Sequence, residues 1–301
     1  AKGNFMNINI IRSDKAYLKL LELPQAEREN HFIAEVLWPF KDKFQTQNIP
    51  LKAKEPGRFD AMMLLSWAHR MPADISEADR PAIAAIGSDE LWQTCRDTIE
   101  KSLAMFDAYC RLSVRDYTFT ILLGSPHSQM LALNKGYLGD GGIPGYIMMS
   151  ILPNDYTLPR LPAAIAHECN HNVRFQFAKW SSKTTLADWV ISEGLAESFV
   201  AELFGRQLLG PWVTETDETA LAKIKPIISE RLGMTGMAEM APYLYGDEIA
   251  AQQGYQPVGL PYAAGYAYGY HLIQTYLAAT GKSIVEATLT PTADILAATQ
   301  D

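Results

Sequence analysis

The 301-residue sequence predicts an α+β fold, mostly helical, with a small sheet preceding one chemically armed helix. Three observations carry this prediction. Apolar residues recur at three- and four-residue spacing through most of the chain. Strand-like runs are few and short. No internal repeat or long apolar segment interrupts the pattern. In chain order, Met6, Ile8 and Ile10 alternate with Asn7 and Asn9, which reads as a strand, and Ser13-Asp14 is a helix start. Ala26 to Trp38, Arg58 to His69 and Asp89 to Cys110 have helical spacing, separated by Pro39, Pro50, Pro56-Gly57, Pro72 and Pro81. His31 and His69 stand alone there and read as packed or surface residues. Tyr117 to Leu123 alternates and stops at Gly124-Ser125-Pro126, a second strand. Gly136, Gly139, Gly141, Gly142 and Gly145 then form a loop able to approach another backbone closely, or simply a flexible connection. Tyr146 to Leu152 is a third, apolar strand ended by Pro153. These shifts divide the chain into a mostly helical region, 1–115, and a second region, 116–301.

Charge narrows the partners. Twenty-six Lys and Arg against 34 Asp and Glu give a net charge of −8, which repels phosphate backbones and anionic membranes, so neither nucleic acid nor a membrane surface is expected as a partner. No stretch reaches the roughly 18 apolar residues of a bilayer span. Cys95, Cys110 and Cys169 lack CxxC spacing, which argues against a disulfide framework or a cysteine-based zinc finger and for a reducing, cytoplasmic compartment. The start lacks a signal-peptide layout, although Ala1–Phe5 precede Met6 and a natural leader is not excluded.

The chemistry concentrates in Ala163 to Phe177, which contains His167-Glu168-Cys169-Asn170-His171, an HExxH pattern. Histidines four apart on a helix share a face about 6 Å apart along the axis, so both imidazoles can converge on one zinc ion. Glu168 lies beside that point, where its carboxylate can take a proton from water. Burying two histidines and a glutamate without a cation is costly. Catalytic zinc takes three protein ligands. Asp188 to Glu197 supplies glutamates one turn apart on a return helix, making Glu193 the third ligand, with Asp188 as the alternative. Glu197 is placed to accept an N–H from a liganding histidine and fix its ring. Cys169 lies about 160° from each histidine and faces away. His127 has no ligand spacing.

His167-Glu168-x-x-His171 followed by Ser192-Glu193-Gly194-Leu195-Ala196-Glu197 resembles the gluzincin metallopeptidases, with Ser192 and Leu195 departing from their N-E-G-F-A-E-like string. Together with Gly141-Gly142-Ile143-Pro144-Gly145-Tyr146, the two helices more closely resemble the YjaZ-like family of predicted zinc-dependent proteases, from about Tyr117 to the C-terminus. The resemblance implies a zincin-like catalytic region, Zn2+ as cofactor, Glu193 as a ligand, and hydrolysis of a peptide or protein. It also implies that Tyr146 to Leu152 edges the substrate cleft, the alternative being an interior strand. Pro261 to Leu277 reads as a helix ending at Gly281, with Tyr262, Tyr266 and Tyr270 on one face and Gly265 and Gly269 as a small stripe suited to close packing on the zinc helices. Tyr266 is the first candidate to donate a hydrogen bond to a tetrahedral oxyanion, with Tyr270 and His271 behind it. Two other readings share these residues: a zinc-binding interaction module without catalysis, and a zinc hydrolase of non-peptide amides. Oligomeric state and natural substrate are not legible.

Overall fold

The structure is a computed structural model that describes residues 6–299; the segment read as preceding Met6 lies outside them. The contacts divide the chain into two compact units, Ala1–Lys101 with Ser113–Glu168, and Ser102–Leu112 with Cys169–Asp301. As expected, the fold is α+β, mostly helical, with a small sheet ahead of the histidine-bearing helix.

The first unit holds a four-stranded sheet: β1 (Asn7–Ile11), β2 (Asp116–Leu123), β3 (Tyr137–Asp140) and β4 (Tyr146–Ile151), in the order β1-β2-β4-β3. The first two pairings are parallel, and β3 runs antiparallel to β4. This corrects one expectation. The apolar strand read at 146–152 is β4, interior and buried between two neighbours, and the edge beside it is β3, whose Tyr-Leu-Gly-Asp sequence carries no alternation strong enough to read as a strand. Gly139 pairs with Met149 and Asp140 with Met148. Directly opposed residues share a face and neighbours alternate, so Tyr137 and Gly139 look one way, Leu138 and Asp140 the other.

Two N-terminal helices differ from their sequence patterns. Arg58 to His69 is helical only over Ala61–Leu65, because the Asp60 side chain caps it by accepting the Met63 N–H at 2.9 Å, and His69 leaves the helix to bridge Gly124. The 26–38 segment is α-helical over Gln25–Phe32 and then widens into a π turn at Ile33–Leu37, immediately before Trp38-Pro39-Phe40.

The second unit is helical. A glutamate helix (Leu186–Phe204) and a tyrosine helix (Ala264–Thr280) pack around a core that includes Leu186, Val190, Ile224, Leu244 and Tyr268. Their closest approach is glycine on glycine: a β-carbon added to Gly269 would lie 2.7 Å from the Val190 carbonyl carbon, and one added to Gly194 would collide with the Gly269 carbonyl. Gly269 therefore has the close-packing role its spacing suggested. Gly265 instead meets Leu244 and Tyr243.

Candidate metal centre

The histidine helix, Leu161–Phe177, places Pro162 in its first turn, where a missing N–H costs nothing, and runs to Phe177 unbroken. His167 and His171 consequently share a face. The glutamate helix starts at a capping box: the Thr185 hydroxyl accepts the Asp188 N–H at 3.2 Å, and Asp188 Oδ2 accepts the Thr185 N–H at 2.8 Å. Asp188, the alternative ligand, is thereby committed to starting the helix. Two turns into that helix, Glu193 Oε2 comes to 3.1 Å from His171 Nε2. One ligand atom from each of His167, His171 and Glu193 lies within 4.8 Å of the others, and all three residues are buried. Among the described residues this is the one such group. Two imidazole nitrogens and a carboxylate oxygen form the N/O donor set that zinc accepts, so the residues fit the ion.

Glu168 is also buried, with Oε1 4.0 Å from His167 Nε2. Its seat is made of glycine. A β-carbon on Gly139 would stand 2.5 Å from Glu168 Cγ and Cδ, and one on Gly141 would stand 2.8 Å from its Cβ and 2.9 Å from Oε2. Any other residue at either position pushes the carboxylate aside. The glycine-rich run is legible in the sequence as able to approach a backbone closely, but Glu168 as the group it approaches is not.

The profile of the family described as "Predicted Zn-dependent protease (DUF2268)" matches residues 91–297. The uncharacterized protein YjfC of Bacillus subtilis (strain 168) is 35% identical over 285 residues, covering 94% of this chain and 95% of that protein. The uncharacterized protein YjaZ of the same organism is 31% identical over 141 residues, 46% of this chain and 51% of that protein. The chain belongs to the DUF2268 family. This kinship reaches well before Tyr117, further toward the N-terminus than the motifs alone indicate. No solved structure matches the chain.

Other candidates in this DUF2268 chain fall as follows. Glu197, buried one turn beyond Glu193, accepts the backbone N–H of Gly210 at 3.0 Å. Tyr266 is half-buried in the first turn of the tyrosine helix, its ring 6.3 Å from Trp212 and 6.2 Å from Tyr245. Tyr262 lies outside that helix, which begins at Ala264 after Ala263 takes a left-handed φ of 53°. The Tyr270 hydroxyl is buried without a hydrogen-bond partner; burial raises its pKa, and Arg206 and Glu197 are the charges that act on it. His271 is held below the usual histidine range, first by burial and then by Lys225 and Arg206. Cys169 is buried, forms no disulfide and lies outside the converging group. A line of rings, not legible in the sequence, runs from His171 through Phe175, Trp180, Trp189 and Tyr245 to Tyr266, with centroids 5.2–6.2 Å apart. No described helix is long and apolar enough to cross a membrane.

Proposed function

We propose that this chain is a zinc-dependent metallopeptidase of gluzincin type, with its catalytic region in residues 116–301, its metal held by His167, His171 and Glu193, and Glu168 as general base. The convergence of two buried imidazoles and a buried carboxylate, with a second buried glutamate beside them, carries the reading. Zinc bound there supplies a Lewis acid and lowers the pKa of water toward neutrality. Glu168, fixed by the two glycines, takes the proton of the attacking water and returns it to the leaving amine. Three protein donors rather than four is the catalytic pattern, whereas a structural site closes its fourth position with protein.

Tyr266 supplies the hydrogen bond to the oxyanion. Its half-exposure supports this choice, since the Tyr270 hydroxyl is sealed and the charges acting on His271 belong to Lys225, Arg206 and Glu218. In this reading Glu197, one turn beyond Glu193, orients a liganding histidine through its carboxylate. A peptide substrate is favoured over other amides because the family is described as a predicted protease, and because β3 stands at an edge of the sheet, the position where an extended main chain adds to a sheet. A reducing, cytoplasmic setting is the reading favoured by three cysteines without CxxC spacing.

The test is Glu168→Gln, assayed for zinc content and cleavage of a peptide library. Zinc should stay at wild-type stoichiometry while turnover falls by roughly 100-fold or more. Full activity in Glu168→Gln would overturn the general-base role. Wild-type protein that binds zinc and cleaves nothing would favour the interaction module.

A further inference from the structure

Beneath the edge strand, on the face opposite Glu168, lies a buried ammonium. Lys43, in the short helix Lys41–Thr46, is 1% exposed. Its Nζ stands 2.8 Å from Asp140 Oδ2, donates to Gln47 Oε1 at 3.0 Å, and lies 4.7 Å from the Phe44 ring centroid. A lysine is costly to bury even when paired, and an apolar residue would fill the same space more cheaply. Core packing therefore does not account for it.

The position of Asp140 does. It is the last residue of β3, paired with Met148, and beyond it the chain continues as Gly141-Gly142. The residues on either side, Gly139 and Gly141, are the glycines at which an added β-carbon would collide with Glu168. A four-residue edge strand running into two glycines has little stiffness of its own. Its interior neighbour β4 is held separately. His69 Nδ1 donates to the Leu65 carbonyl at 2.8 Å, which leaves Nε2 to accept the hydroxyl of Ser150 on β4. The last residue of β3 carries the Lys43 ion pair.

We propose that Lys43 is a positioning residue: its ion pair with Asp140 on the back of the edge strand holds Gly139 and Gly141 at the height that seats Glu168 on the front. The proposal rests on the reading of Glu168 as the general base, but its strand-anchoring part is measured without turnover.

Lys43→Met keeps the apolar stem and drops the charge; Asp140→Asn removes the charge from the half-exposed partner, where loss of folding is not at issue. In zinc-loaded protein, hydrogen exchange at the amides of 139–142 should rise roughly tenfold or more in both variants, with β1 and β2 unchanged. Zinc stoichiometry and KM should match wild type, while kcat falls by roughly 10- to 100-fold. Lys43→Arg should recover most of both losses. Exchange at 139–142 within twofold of wild type in both variants overturns the proposal, as does a rise spread evenly over the whole sheet, which would mark a purely structural lysine. If wild-type protein cleaves no peptide, the general-base reading fails on its own, and the exchange pattern still decides whether Lys43 anchors the strand.

Discussion

Gly269→Ala sets a local gain against a non-local clash, and the distances decide between them. Alanine is better than glycine in a helix by about 1 kcal/mol. The new methyl, however, would sit 2.7 Å from the Val190 carbonyl carbon, and closer still to its oxygen, where ordinary contact begins at 3.4 Å. Backbone cannot rotate out of the way, so the tyrosine and glutamate helices must part by at least 0.7 Å, the difference between those two distances. Overpacking of this kind costs about 1–3 kcal/mol or more, enough to cancel the propensity gain and leave a net loss. The same displacement exceeds the roughly 0.2 Å tolerance of a metal–ligand bond and acts on the helix that carries Glu193. Thermal unfolding with and without zinc, together with a competitive zinc titration, should show a lower midpoint and zinc binding weakened by roughly 10-fold or more. Gly233→Ala, where a β-carbon meets nothing within 4 Å, serves as the control and should be near neutral. A Gly269→Ala protein with wild-type melting and zinc affinity would refute the idea that glycine contact sets the ligand position.

At Gly139 the obstacle is a side chain rather than backbone. Gly139→Ala should cost under about 1 kcal/mol, because Glu168 can swing by the 0.9 Å separating 2.5 from 3.4 Å, yet turnover should fall by roughly 100-fold with zinc retained; a variant with full activity would show that the carboxylate needs no such seat. Asp188→Ala removes the capping box and should lower stability by about 1 kcal/mol without loss of zinc; loss of the metal would return Asp188 to the ligand set. His69 is pushed down to about 4, chiefly by burial. Since its unfolded value is near 6.5, the unfolded chain binds the extra proton first, so stability should drop as pH falls from about 6.5 toward 4, by of order 2 kcal/mol after allowing for partial exposure. Urea unfolding at pH 7 and pH 5 should show this slope in wild type and lose it in His69→Gln; an equal slope in both proteins would remove His69 as its source.

The histidine helix and its glutamate partner were legible because their signal is local: two histidines at helical spacing, and a second glutamate pair on an apolar helix that returns after a loop. In the second unit the glutamate and tyrosine helices are the ones legible in the sequence, and Gly281 ends the tyrosine helix as its residue type suggests. What was not legible depends on distant partners. Tyr137–Asp140 is too short and too glycine-rich to show alternation, so the edge of the sheet went to the more apolar strand beside it. Lys43 reads as an ordinary surface lysine until Asp140 folds beneath it. Gly194, inside a strongly helical segment, looks like a weakness in sequence and becomes a requirement only when Gly269 is brought against it. Likewise, nothing near His69 in the chain foretells that Ser150 takes its second ring nitrogen.

Metal analysis of purified protein, paired with X-ray absorption at the zinc edge, addresses the donor set itself. One zinc per chain is expected, with nitrogen and oxygen neighbours and no sulfur, and with binding lost in Glu193→Ala and in His167→Ala. Protein that carries no zinc, zinc with a sulfur neighbour, or wild-type binding in Glu193→Ala would contradict the assignment of this centre.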